Sequence, residues 1–79
     1  MTWRGHRAKN DIGKAIRFLA KAEATLFDFY DFTHDTHKEL ADIALDCGKT
    51  LFVTRTVLKE MWEQCWGPPP EELREYFEL

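Results

Sequence analysis

The sequence predicts an all-α fold, an antiparallel helical hairpin with a short third helix. Three observations carry this. Apolar residues recur every three or four positions over two long stretches. The polar stretch Thr33-His34-Asp35-Thr36 separates them. Gly67 followed by Pro68, Pro69 and Pro70 closes the second, because proline lacks the amide donor a helix interior needs.

The first helix is expected over about 10–32. Ile12, Ala15, Ile16, Leu19, Ala22, Leu26 and Tyr30 stay on one side of a 3.6-residue helix. Asn10 or Asp11 can cap its start, and Gly13 is a mild cost. The second helix is expected over about 36–66, opened by a capping box in Thr36-His37-Lys38-Glu39. Leu40, Ala44, Cys47, Leu51, Thr54, Leu58, Met61 and Cys65 form its buried seam, flanked by Ile43, Val57 and Trp62. Two features count against a single long helix there. Gly48 could split it, and Thr50 to Val57 is rich in β-branched residues that suit a strand. The seven-residue register runs through both and favours the helix. That register also runs back through the polar stretch, so a continuous helix from 10 to 66 is an alternative; ordinary helix lengths disfavour it. The third helix, about 70–78, opens at Pro70 with Glu71 and Glu72 in its first turn. Leu73, Tyr76 and Phe77 give it an apolar side that is expected to fold back on the hairpin.

Composition bounds the rest. The chain has 79 residues, 44% apolar and 32% charged, with net charge −3, which fits one soluble globular domain over 1–79. No apolar run approaches the roughly 18 residues of a spanning helix, and no secretory signal is visible. Cys47 and Cys65 on one helix would lie about 27 Å apart along its axis, too far to bridge. Read as reduced core thiols, they point to the cytoplasm. A chain this small usually needs a staple. With no disulfide framework, self-association is the expected one. Phe18, Phe29, Phe32, Leu45 and Phe52 lie off the main seams, and a homodimeric bundle would cover such side faces.

Four constellations bear on function. Asp31, His34 and His37 have the spacing of a weak metal site, but they fall at the expected turn, where a solvated polar loop is the preferred reading. Arg7, Lys14, Arg17 and Lys21 share one helix side, with Phe18 beside them and Trp3 near, a pattern that can track phosphates. An ordinary solvated face competes with it. Asp28, Asp31, Asp35, Glu39, Asp42 and Asp46 make an acidic series that suits either solvent or a basic partner. Eleven aromatic residues are too many for one hairpin to bury, since Phe27, Phe29, Tyr30 and Phe32 cluster within six positions. Trp66 also lies off the stripe.

There is no glycine-rich phosphate loop, nucleophile elbow or metalloprotease helix, and no serine at all. The expected function is therefore non-enzymatic and needs no cofactor: a homodimeric helical module, an inhibitor or regulator, that binds another protein. Short proteins of phages and mobile elements often work this way. Its anchors are Phe18, Phe29, Phe32 and Trp66, with Arg17 and Lys21 on the basic side and Asp28 and Asp31 on the acidic side. The alternatives are a nucleic-acid-binding regulator using the basic stripe, and a weak metal-binding bundle at His34, His37 and Asp31.

Overall fold

The computed structural model describes residues 5–78. Two long helices, α1 (His6–Thr33) and α2 (Lys38–Trp66), pack antiparallel. After Gly67 and the prolines, a 3-10 turn (Glu71–Leu73) leads into a one-turn helix, α3 (Arg74–Phe77), which returns to the hairpin. There is no strand among the described residues, and Gly48 does not interrupt α2.

The helix starts correct the sequence expectation. α1 begins four residues before Asn10, capped by extended Gly5 with no side-chain acceptor. Asn10 and Asp11 lie inside the helix, where Asp11 pairs loosely with Arg7 at 3.7 Å. Nothing in His6-Arg7-Ala8-Lys9 resists helix formation, so winding starts at the glycine. The capping box does not form either. The N-cap of α2 is His37, without a side-chain cap. The Thr36 hydroxyl instead lies 3.0 Å from His37 Nδ1 and 3.5 Å from the Thr33 carbonyl, holding the turn rather than the helix start. The stop is as expected: Gly67 takes φ 79°, and its N–H still donates to Glu63 O at 3.0 Å.

The seam of α2 also differs. Its buried residues are Ala41, Ala44, Gly48, Arg55 and Trp62, with Leu51, Leu58 and Cys65 half-buried. The expected Leu40, Cys47 and Thr54 are exposed and Met61 is half-buried. Every second seam position is thus displaced by one residue, rotating α2 about its axis. Two packing facts set this rotation. An atom added at Gly48 would meet the Phe27 ring at 2.9 Å, so the glycine lets that ring pack close against α2. Trp62, 2% exposed, fills the open end against Ile16 and Phe77. A large indole gains more by burial than the thioether of Met61 beside it. Cys47 is consequently a surface thiol, contrary to its expected burial; both cysteines are free.

The core therefore sits at one end. Ile16, Trp62 and Phe77 form it, with Ile12, Leu58, Trp66, Leu73 and Tyr76 packed around them. Trp62 meets Trp66 and Phe77 edge-on, at centroid distances of 5.2 and 5.5 Å. Gly13 gives Leu73 and the Trp62 ring their approach to α1.

Candidate functional site

Between the core and the turn, one buried ion pair ties three elements together. Glu23 is the lone acid on the inward side of α1, and Arg55 the lone base on the inward side of α2; they are 4% and 7% exposed. Arg55 Nε donates to Glu23 Oε2 at 2.5 Å and a terminal nitrogen donates to Oε1 at 2.9 Å. The other terminal nitrogen donates to the Tyr76 and Glu78 carbonyls, at 2.6 and 3.0 Å. The planar guanidinium suits this fork, and the charge-assisted bonds offset the desolvation that an unpaired charge would suffer here. The arrangement positions α3; it presents no reactive group to solvent.

α3 and its connection cover only one side of the hairpin. His6, Lys9, Lys14, Arg17, Trp62 and Leu73 line a cleft of about 370 Å³ between α1 and the C-terminal segment, and Pro70 and Glu72 form its outer wall. Lys9 Nζ sits 5.5 Å from the centre of the Trp62 ring, and Arg17 lies over Phe18 at 5.8 Å. The expected basic stripe, Arg7, Lys14, Arg17 and Lys21, is exposed on this side; Trp3 lies outside the described residues. The buried Trp62 Nε1 has no hydrogen-bond partner among the described residues.

The opposite side is different in kind. Leu40, Ile43, Cys47, Thr50, Thr54, Val57 and Met61 follow one another at steps of three and four along α2. None is charged, and all but Met61 are exposed. In an antiparallel pair the neighbouring flank of α1 is Ile12, Ala15, Leu19, Ala22, Leu26 and Phe29, also uncharged. A shallow hollow of about 320 Å³ lies at Asp46, Cys47, Thr50 and Leu51. The seam expected from the sequence ran along one edge of this strip.

The remaining expected site residues fall into separate places. Phe29 and Phe32 project from the last turns of α1, with Asp28 and Asp31 exposed next to them. Phe32 is the extreme case, at 85% exposure. Phe18 is exposed on the same line of α1 as Phe32, fourteen residues and so about 21 Å away. Arg17 and Lys21 belong to the basic cleft side. Trp66 is at the far end of α2, packed edge-on against Trp62, so it does not share a surface with the phenylalanines.

At the turn, His34 stacks on Tyr30 at 5.3 Å. Its Nδ1 lies 3.0 Å from the Asp31 carbonyl and 3.2 Å from that of Tyr30, while Nε2 lies 3.2 Å from Asp35 Oδ1. Both ring nitrogens thus face acceptors within the turn. Among the described residues, no three His, Cys, Asp or Glu side chains are placed to hold a metal ion. No helix among them is long and apolar enough to cross a membrane. The acidic series is exposed throughout but wraps around the turn rather than forming one straight strip.

The sequence reading did not foresee the pairing of Glu23 with Arg55. The available signal was complementarity: Arg55 is the single charge in the run Thr50–Leu58. It also missed that Ile43 and Val57 are the centre of an uncharged face rather than its border. No family model matches the chain, and no match is found among curated proteins or among solved structures.

Proposed function

We propose that the chain is a non-enzymatic helical interaction module that binds another protein through the turn end of α1. The observation that carries this is the exposure of Phe32 and Phe29 together, flanked by Asp28 and Asp31. Water contact with such rings is costly, and burying one fully is worth about 1.5–3 kcal/mol. Aromatic anchors ringed by charge are the usual energetic centre of an interface. The surrounding acids favour a basic partner and speed its approach. A regulator or inhibitor acting by occupancy needs nothing more, and a cytoplasmic setting fits the two free thiols.

The test is affinity capture from the source organism's lysate, comparing the native chain with Phe32→Ala and with Asp28→Lys/Asp31→Lys. A protein retained by the native chain and lost with both variants is the expected result. Identical retained sets, with the variants still helical by circular dichroism, would remove the reading.

A second reading draws on the cleft side, where Lys9, Lys14 and Arg17 converge with only Glu72 opposing them. There the module would bind nucleic acid through phosphates, with affinity falling steeply as salt rises. Absence of RNA or DNA binding at low salt ends it.

A further inference from the structure

We infer that the uncharged side of the hairpin is seated against a second copy of this chain, turn end to open end, in a four-helix bundle. The inference rests on the reading of the chain as an interaction module and names the occupant of a surface which that reading leaves open.

The first ground is area. The molecule measures 51 × 21 × 17 Å and exposes 5780 Å². A monomeric globular protein of this mass exposes about 5,000 Å². Each partner in a standard stable interface contributes about 800 Å². The strip from Leu40 to Met61 is about 32 Å long, and two helices wide it has that order of area.

The second ground is self-complementarity. In a two-fold interface each patch meets its own copy, so any charge on it must find an opposite charge at a symmetric place. The seven residues of the strip carry no charge and meet that condition without further design, while Asp46, which also lines the hollow, is exposed beside it. Leu40, Ile43 and Val57 stand out as knobs at 53%, 60% and 58% exposure, and the hollow at Cys47 and Thr50 lies between them on the same strip.

The third ground fixes the direction. The turn-side half, residues 22–55, carries seven acids against three bases. The open-end half, residues 5–21 and 56–78, carries seven of each. Stacking both copies with turns together would crowd two acidic ends. Head-to-tail stacking puts each acidic turn over a neutral open end and keeps like charges apart. It also leaves Phe32 of each copy at opposite ends of the assembly, so one dimer would offer two partner sites.

Light scattering on the full chain tests the inference. The expected mass is twice the 9.3 kDa of one chain. Ile43→Glu with Val57→Glu should halve it while circular dichroism stays unchanged, because both side chains already face solvent in one copy. A single-chain mass for the native protein at about 0.1 mM overturns the inference, as does a mass that the two glutamates leave unaltered. Direction is tested by cross-linking. Lys38–Trp66 is centred on Phe52, so a two-fold at mid-helix sets Cys47 opposite Val57 of the other copy. Val57→Cys in a Cys65→Ala background should form a covalent dimer with a short bis-maleimide, whereas Cys47 alone in that background should not. A dimer that resists this cross-link overturns the head-to-tail arrangement. A native chain that is monomeric yet still captures its partner through Phe32 sinks this inference alone, whereas a dimer that captures nothing sinks the other reading alone.

Discussion

The two ends of the hairpin are held by different means. At the open end, α1, α2 and α3 share a core of large side chains, Ile16, Trp62 and Phe77. Toward the turn, the buried positions of α2 are Ala41, Ala44 and Gly48, small residues that leave room for the Phe27 ring beside Gly48. Large side chains bring hydrophobic gain, at about 25 cal/mol per Å² of apolar surface. Small ones bring little, so the turn half leans on half-buried side chains such as Leu26 and Leu51, on the Phe27–Gly48 contact and on whatever covers its outer surface. The difference teaches where the chain can be bound without cost. The exposed Phe29, Phe32, Leu40 and Ile43 all belong to the half with the thinner core.

The sharpest way to break the comparison is to cut the joint between the halves. Arg55→Ala leaves Glu23 buried and unpaired and takes the donor from the Tyr76 and Glu78 carbonyls. It should cost about 3–5 kcal/mol in urea denaturation. Proteolysis should then reach the segment after Gly67 in the variant before it does in the native chain. Replacing both partners, Arg55→Met with Glu23→Leu, should restore a large part of the loss but not the protease resistance, since the carbonyls stay without their donor. Equal stability of Arg55→Ala and the native chain would mean the pair contributes nothing.

Next in size is the core itself. Ile16 is fully buried, and Ile16→Ala should cost about 2–5 kcal/mol by calorimetry or denaturant. Truncating the same kind of residue toward the turn, Ile43→Ala, should cost under about 0.5 kcal/mol in the isolated chain. Similar losses at the two sites would erase the asymmetry.

Gly48→Ala probes the turn half directly. Alanine favours the helix by about 1 kcal/mol, but its methyl would stand 2.9 Å from Phe27, and overpacking costs about 1–3 kcal/mol. The net expected effect is a loss of about 1 kcal/mol. In a Phe27→Leu background the clash is relieved and the same substitution should become neutral or stabilising. A double-mutant cycle reads the coupling. No coupling would place the ring elsewhere.

How much of this was legible in the residues depends on which force decided each feature. The helices and the proline stop followed from local chemistry, and so did the polar turn. The rotation of α2 did not, because its two candidate seams share Ala44, Leu51, Leu58 and Cys65 and differ only in alternate positions. Hydrophobicity ranks Leu40, Cys47 and Met61 above Ala41 and Gly48, so a pattern reading chooses the former. Interhelical contact reverses this: Phe27 needs a glycine opposite it and Trp62 outweighs Met61, while Arg55 follows Glu23 inward. Those are relations between distant residues, invisible to a periodicity along one strand of sequence. The candidate anchors Phe18, Phe29 and Phe32 were legible because a helix cannot turn every neighbouring aromatic inward. Trp66 was misassigned to the same surface because its packing depends on the same rotation.

Leu40 gives the smallest expected effect and the finest test of that rotation. If the seam ran where the hydrophobic pattern puts it, Leu40→Ala would open a cavity and cost about 2–5 kcal/mol at any protein concentration. With Leu40 half in solvent, the loss within one chain should stay under about 0.5 kcal/mol. The uncharged face adds a second signature. A leucine covered only by another copy contributes through association, so its removal should lower the melting temperature in concentrated samples and leave dilute ones unchanged. A concentration-independent loss of several kcal/mol would restore the pattern-based seam. A small loss that grows with concentration would tie the displaced leucine to an interface between chains.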